Sequence, residues 1–145
     1  MNATAEKFGY PESLVARSEH WLVLVRPAQP TLGSLVLVCT EPVQRFGEIG
    51  AAAGADLPGI VARIEQALAA SFAPDKLNYL MLMMVDPDVH FHVLPRYETS
   101  RMFEGGEFDD AGWPGPPDIT RKLALSDTQH QALTARLKER FEALP

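Results

Sequence analysis

The segment from Asp88 to Arg96 carries the side chains of this sequence best suited to chemistry. It holds two histidines separated by one residue, His90 and His92, and an aspartate two residues before the first of them. Side chains of an extended strand alternate between its two faces, so these three groups lie in a row, with successive Cα atoms roughly 6.6 Å apart. Neutral imidazole is a nucleophile, a proton donor or acceptor and a metal ligand near pH 7. The row therefore indicates a polar sheet face, a metal site or a catalytic site.

A polar, solvent-exposed sheet face is the simplest of these interpretations. Strands that bury only one face alternate apolar with polar residues. The apolar positions of this alternation suit a core: Val89, Phe91 and Val93. On this interpretation the histidines only face water.

A metal site is the second interpretation, because histidine and carboxylate form a known ligand set. Asp88 and His92 would lie roughly 13 Å apart at Cα. Ligands that each lie roughly 2.1 Å from one ion cannot easily converge from three successive same-face positions. A metal site would therefore use His90 and His92 with a third ligand from elsewhere, His20 or His130.

Nucleophilic catalysis by histidine is the third interpretation. A neutral imidazole can attack phosphorus when a fixed acceptor holds its other ring nitrogen as a donor. A second imidazole two residues further on could donate a hydrogen bond or a proton to the departing oxygen. Backbone N–H groups could stabilise the charge on the phosphate.

The segment from His90 to Arg96 resembles the signature of histidine triad (HIT) proteins, in which alternating histidines are often followed by Pro-Arg; its sequence is HFHVLPR. The similarity extends over roughly residues 18–97. Agreement over this length is more than a match to a short motif alone gives. The stretch from Leu24 to Phe46 resembles the N-terminal half of fragile-histidine-triad hydrolases. A helix over Asp56–Phe72 and a strand over Lys76–Met84 then follow in the family's order.

The resemblance implies a nucleotide hydrolase or nucleotidyl transferase that acts on phosphoanhydride or phosphoramidate bonds, for example of dinucleoside polyphosphates. His90 would be the nucleophile that forms a nucleotidyl-histidine intermediate, and His92 would assist the leaving group or the phosphate. Neither a cofactor nor a metal is implied. The partners would be a small-molecule nucleotide and a second copy of the chain in a homodimer, to which the C-terminal helix or the Glu104–Asp118 loop could contribute.

Two departures from the family's pattern lie beside the histidines. Asp88 stands in place of the first triad histidine, although its backbone carbonyl could still orient the nucleophile. Met84–Pro87 replaces the Gly-Gln-Ser/Thr-rich loop that contacts phosphate in many members. We expect Arg96 and Arg101 to supply the positive charge, and Arg26 and Asp88 to contact the substrate. The departures also suggest an alternative, a nucleotide-binding protein of the same fold with weak or no catalysis.

Apolar periodicity and turn residues predict the elements that position these groups. We expect an α+β, HIT-like fold, an antiparallel sheet of about five strands with one main packed helix and a C-terminal helix, in a single domain over residues 1–145. The expected strands are Ser18–Arg26 and Ser34–Cys39, joined as a hairpin, then Lys76–Met84, buried on both faces, and Asp88–Arg96. The expected helices are a short one over Pro42–Gly50, the main one over Asp56–Phe72 and an amphipathic one over Ser126–Leu144. The long Glu104–Asp118 segment is expected to be a lid, an interface arm or disordered.

Composition narrows the function classes. Hydrophobic residues make up 46% and charged residues 22% of the 145 residues, as in ordinary globular domains. The net charge of −6, without a Lys/Arg-rich block, argues against binding to nucleic acids, which need a clustered basic surface. No apolar run is long enough to span a membrane. With one cysteine, Cys39, no internal disulfide can form, which favours a cytoplasmic location.

Overall fold

Five antiparallel strands form the central sheet, and the β-branched and long apolar residues of its middle strands account for their extended conformation. The computed structural model describes residues 2–145. The strands are β1 (Leu14–Arg17), β2 (Trp21–Val25), β3 (Leu35–Cys39), β4 (Lys76–Leu80) and β5 (His90–Arg96), in the spatial order β1-β2-β3-β5-β4. The helices are α1 (Ala3–Lys7), α2 (Ala51–Phe72) and α3 (Asp127–Glu142), and a separate hairpin pairs β6 (Arg101–Phe103) with β7 (Gly106–Phe108). The predicted α+β architecture, including the β2–β3 hairpin, is confirmed.

One face of the sheet packs against α2 and α3. Alternate residues of the central strands point to this side, and the helices bury their apolar stripes against them. The core on this side includes Trp21, Val23, Leu35, Leu37, Val93, Ile60, Ile64, Leu68, Leu133, Leu137 and Phe141. Ser126 begins α3 with a capping box, in which its hydroxyl accepts from the Gln129 backbone N–H and its own N–H donates to the Gln129 side chain. The apolar stripe of α3 is thus used within the chain.

The opposite face of the sheet is covered by the N-terminal segment. Ala5 of α1 and Phe8 pack on the residues that β2 and β3 present to this side, Leu22, Leu24, Val36 and Val38. The cross-strand register places His92 beside Val36 and His90 beside Val38, so both histidines belong to this second face. Both faces of the sheet are therefore buried around β5.

The strand predicted over Lys76–Met84 differs from the expectation in two ways. It ends at Leu80, and it lies at an edge of the sheet with its side chains only partly covered. The following Met-rich run leaves the sheet: Met83 has a φ of 47°, and Met84 is 86% exposed. An apolar run predicts burial only where other elements can cover both of its sides.

Three other boundaries also differ from the expectation. The main helix begins at Ala51, five residues before Asp56. The prediction missed this first turn because its Ala- and Gly-rich sequence carries no amphipathic pattern. Pro42–Gly50 contains only a 3₁₀ turn over Phe46–Glu48. The Glu104–Asp118 segment is neither disordered nor free of structure, since it includes β7 and a buried aspartate, Asp110, that holds it to β5. Among the described residues, no helix is long and apolar enough to cross a membrane.

Candidate active site

His90 and His92 are buried beneath the N-terminal segment. His90 is 2% exposed and His92 is 7% exposed. The Phe8 ring lies over both imidazoles, with centroid distances of 5.9 Å to His90 and 5.8 Å to His92, and the two imidazoles lie edge to face at 5.1 Å. The interpretation of this strand face as solvent-exposed is therefore wrong. An aromatic side chain closes the face where the sequence suggests chemistry.

The ring orientation of His90 is set by a backbone carbonyl. Nδ1 of His90 lies 2.6 Å from the carbonyl oxygen of Asp88. A carbonyl oxygen only accepts hydrogen bonds, so Nδ1 carries the proton and donates it. In the neutral ring, Nε2 then has a free lone pair, which is the form of imidazole that can act as a nucleophile.

The Asp88 carboxylate is directed away from the imidazoles, toward the first turn of α1. Its Oδ2 accepts from the hydroxyl of Thr4 at 2.9 Å and from the Thr4 backbone N–H at 3.3 Å. Beside this contact, Nζ of Lys7 lies 2.8 Å from the Asp86 carboxylate. Asp88 thus orients His90 through its carbonyl and holds the N-terminal segment through its side chain.

His92 and Arg26 each leave a buried nitrogen without a partner. Within residues 2–145, neither Nδ1 of His92 nor Nε of Arg26 makes a hydrogen bond. Burial is the main cause that lowers the pKa of His92 to about 4, and the positive charge of Arg26 contributes to the same shift. Burial also lowers the pKa of Arg26. Buried polar groups in proteins are nearly always hydrogen-bonded, so the unpartnered nitrogens of His92 and of Arg26, whose charge acts on His92, point to a place where a polar ligand could sit.

Solved structures share this arrangement of strands and helices. A histidine triad protein from Bradyrhizobium japonicum is 24% identical, with 88% of this chain and 89% of that chain covered and a TM-score of 0.70. A histidine triad protein from Sinorhizobium meliloti 1021 is 18% identical, with coverages of 97% and 95% and a TM-score of 0.74. A hypothetical histidine triad nucleotide-binding protein from Sulfolobus tokodaii strain 7 is 18% identical, with coverages of 90% and 83% and a TM-score of 0.67. No family model and no curated protein matches the sequence.

The chain has the histidine triad fold. The resemblance seen in the segment from His90 to Arg96 is thereby confirmed at the level of the fold. Within this histidine triad fold, His90 and His92 lie on the central strand β5, which pairs with β3 on one side and with β4 on the other.

Arg96 lies on the same face of the histidine triad sheet but is fully engaged elsewhere. It is 3% exposed. Its Nε and Nη2 donate to the two carboxylate oxygens of Asp110, Nη2 also donates to the Gly115 carbonyl, and Nη1 donates to Oδ1 of Asn78. Its Cα is roughly 13 Å along β5 from that of His92. Arg96 therefore fastens the segment that follows β7 rather than pointing toward the histidines.

Arg101 stabilises the C-terminus of α2. Its Nε donates to the Phe72 carbonyl at 2.8 Å and its Nη2 to the Ala73 carbonyl at 2.8 Å, and its guanidinium stacks on Tyr97 at 4.8 Å. These are the last carbonyls of α2, which lack partners within the helix. The contacts of Arg101 are thus those of a helix-capping residue, and the structure does not bring it to the histidines. Of the three arginines expected near the substrate, only Arg26 lies beside them.

The residues suggested as a third metal ligand are held elsewhere. Nε2 of His130 lies 3.1 Å from the Pro27 carbonyl, and the backbone N–H of His20 donates to Asp56. Among residues 2–145, no three histidine, cysteine, aspartate or glutamate side chains form a group that could hold a metal ion.

Sequence reasoning missed two residues that contact this site. Phe8 covers the imidazoles, and Thr4 binds the Asp88 carboxylate. Both come from the first turns of the chain, which carry no motif. The only local signal was a short helix start, Asn-Ala-Thr-Ala, in which the Asn2 side chain accepts from the Ala5 backbone N–H as an N-cap. This signal predicts a helix but not the surface that the helix covers.

Proposed function

We propose that this protein binds nucleotides and cleaves a phosphoanhydride or phosphoramidate bond through a nucleotidyl-histidine intermediate at His90. The observation that carries the proposal is the 2.6 Å hydrogen bond from Nδ1 of His90 to the Asp88 carbonyl. It leaves Nε2 as the nucleophilic atom, although an aspartate replaces the first histidine of the signature. The histidine triad fold and the nucleotide-binding description of the protein from Sulfolobus tokodaii also support it.

In the proposed reaction, Nε2 of His90 attacks phosphorus and the bond from phosphorus to the leaving group breaks. The electron pair of that bond departs with the leaving group, which gains its proton from water. His92 stays neutral near pH 7 because of its low pKa, so it can donate a hydrogen bond from its ring N–H to the departing atom. Water in a hydrolase, or another acceptor in a transferase, then attacks phosphorus, breaks the P–N bond and restores the lone pair on Nε2.

The positive charge near the phosphate would come from Arg26. Its Nη1 donates to the Ala28 carbonyl at 2.8 Å and its Nη2 to the Ile119 carbonyl at 3.4 Å, while the buried Nε has no partner. A guanidinium positioned by neutral carbonyls keeps its full charge for an anion. The loop before β5 offers fewer backbone donors to the phosphate, since Pro87 has no backbone N–H.

The N-terminal segment restricts the access of a substrate to His90, which is 2% exposed. Phe8 covers His90 on the side away from the sheet, and the Thr4–Asp88 and Lys7–Asp86 contacts hold α1 in place. α1 has only five residues, too few to be a stable helix by itself in water. We therefore propose that the described arrangement is a closed state and that nucleotide binds after α1 has detached.

The alternative is a nucleotide-binding protein of this fold with weak or no catalysis. Its specific support is the burial of His90 beneath Phe8, together with the aspartate at position 88. On this alternative a nucleotide binds beside the histidines and the imidazole never attacks.

Turnover of adenosine phosphoramidate and diadenosine tetraphosphate by the parent and by His90→Asn separates the two proposals. We expect chelator-resistant release of AMP by the parent and a loss of at least about a thousandfold with His90→Asn, while AMP binding by calorimetry persists. His20→Asn, at a half-buried histidine that directly precedes β2, is the matched control and should keep parental activity. Equal rates for the parent and His90→Asn would refute the mechanism, and binding without turnover by the parent would favour the alternative.

Homodimerisation is a further part of the proposal. It rests on the resemblance of the sequence to histidine triad proteins. Light scattering over a range of protein concentrations tests it, and a monomer mass at the highest concentration would contradict it.

A further inference from the structure

Arg26 approaches the histidines from two strands away. By the alternation of the strand it is the next same-face residue after Leu24. Leu24 of β2 pairs with Val36 of β3, and Val36 pairs with His92 of β5. Neighbouring strands lie roughly 4.8 Å apart, so the Arg26 backbone lies roughly 10 Å from that of His92 across the sheet. A long side chain reaches one defined point over this distance only when the backbone that carries it is held in place.

The four carbonyls of the Arg26–Gln29 segment all have a donor. The Arg26 carbonyl accepts from the Gln29 side-chain amide at 2.7 Å, and the Ala28 carbonyl accepts from Nη1 of Arg26 at 2.8 Å. The Pro27 carbonyl lies 3.1 Å from Nε2 of His130. The Gln29 carbonyl accepts at 2.8 Å from a backbone N–H of the segment that precedes α3. The backbone that carries the guanidinium is therefore fixed residue by residue.

The side chain of Gln29 joins this segment to the start of β3. It is buried, with an exposure of 1%. Its Nε2 donates to the Arg26 carbonyl and, at 2.8 Å, to the Ser34 carbonyl. Its Oε1 accepts from the backbone N–H groups of Gly33 at 2.8 Å and of Ser34 at 3.0 Å. A primary amide has two N–H donors and two lone pairs, so Gln29 uses its whole hydrogen-bonding capacity within the turn between β2 and β3.

We propose that Gln29 is a positioning residue for phosphate binding, whose side-chain amide holds the Arg26–Gln29 segment so that the Arg26 guanidinium meets the phosphate of a nucleotide beside His92. The inference rests on the proposed function, in which Arg26 binds that phosphate. Gln29 does not contact the ligand, because its polar atoms are all bound within the turn. Its effect passes through the Ala28 carbonyl, which holds Nη1 of Arg26 and lies between the two residues that the amide joins.

A double-mutant cycle on AMP affinity measures this dependence by calorimetry. Arg26→Met removes the guanidinium and should weaken AMP about tenfold or more, the factor expected for one hydrogen bond to a charged group. Gln29→Met removes all four hydrogen bonds of the amide from a side chain of similar length, and should weaken AMP several-fold. The double variant should bind AMP as Arg26→Met does, because Gln29 acts only through the guanidinium. Losses that multiply in the double variant would overturn the assignment.

The pKa of His92 gives a second readout, which needs no nucleotide. Burial is the main cause of the low pKa of His92, and the positive charge of Arg26 adds to it. Displacing the guanidinium should therefore raise this pKa, and NMR titration of the His92 ring should show the rise in both Arg26→Met and Gln29→Met. Thr31→Val is the matched control, because it removes the 2.9 Å contact between the Thr31 and Ser34 hydroxyls in the same turn. It should lower the free energy of unfolding in urea but keep the parental pKa of His92 and the parental AMP affinity.

The two readouts separate this inference from the proposed function. If Arg26→Met raises the pKa of His92 and Gln29→Met leaves it at the parental value, Gln29 does not position the guanidinium and the inference is overturned. If both variants raise the pKa but Arg26→Met binds AMP with parental affinity, the hold of Gln29 on Arg26 is upheld and the assigned phosphate contact of Arg26 is refuted. Should Gln29→Met not fold, Gln29→Asn retains a buried amide that is one methylene too short for the same contacts, and the same changes are expected at smaller size.

Discussion

The contact between Thr4 and Asp88 gives the sharpest test of the closed state. In the structure, the Thr4 hydroxyl donates to the Asp88 carboxylate at 2.9 Å, and Thr4 itself is buried. Thr4→Val removes this donor and nearly conserves the shape of the side chain. If α1 must detach before nucleotide binds, the substitution raises the population of the open state and therefore strengthens nucleotide binding.

The expected size of this effect follows from the hydrogen bond. A hydrogen bond to a charged group contributes about 1.5–3 kcal/mol, and about 1.4 kcal/mol corresponds to a tenfold change in an equilibrium constant. While the open state is a minor species, the apparent dissociation constant is the intrinsic one divided by the open fraction. Thr4→Val should therefore tighten AMP binding by about tenfold or more, at a similar cost to the free energy of unfolding.

Calorimetric titration with AMP measures the affinity, and urea unfolding measures the stability. Lys7→Gln is the matched control, because the Lys7–Asp86 pair is exposed on the lysine side and such pairs contribute at most about 1 kcal/mol. Asp88→Asn separates two causes, since it removes the negative charge but keeps an acceptor for Thr4. If Asp88→Asn tightens AMP binding and Thr4→Val leaves the affinity unchanged, charge repulsion rather than closure by α1 limits binding. That result would refute the closed state.

Two further predictions concern His92 and Arg101. The pKa of His92 is lowered from 6.5 to about 4 in the folded protein, so the unfolded chain takes up a proton first as the pH falls; the unfolding free energy should decrease between pH 6.5 and 4 by up to about 3 kcal/mol. His92→Gln should flatten this decrease in urea titrations at several pH values, and His20→Gln should not; an unchanged slope with His92→Gln would contradict the assignment. Arg101→Gln removes the hydrogen bonds to the last carbonyls of α2 and should lower the unfolding free energy by about 1–3 kcal/mol, while calorimetry should give parental AMP affinity. A weakened affinity with unchanged stability would instead restore Arg101 as a substrate contact.

Much of the fold was determined by local sequence patterns. Two apolar, β-branched runs separated by turn residues predict the β2–β3 hairpin, and helical spacing predicts the helix over Asp56–Phe72. The structure contains both elements. The motif around His90 similarly predicted the histidine triad fold. The geometry of its Nδ1 hydrogen bond also follows from local sequence, since the acceptor lies only two residues earlier along the chain.

Contacts between distant parts of the chain were decided only by the tertiary structure. The partner of Arg96 is Asp110, fourteen residues away across a hairpin, and no spacing rule connects them. The same holds for Arg101, which the sequence suggests as a phosphate ligand and the fold uses to cap α2. An arginine has the same side chain in either role, and what distinguishes the roles is which acceptors lie within reach after folding.

The covering of the histidines is the clearest case of this division. The sequence by itself placed His90 and His92 on one strand face, because alternation is a property of the extended backbone. Whether that face meets water depends on what packs against it. The covering residue, Phe8, precedes β1 and is far from His90 along the chain. Burial is a property of surfaces brought together from remote segments, so the closed site, the low pKa of His92 and the free nitrogen of Arg26 emerge only when the chain has folded.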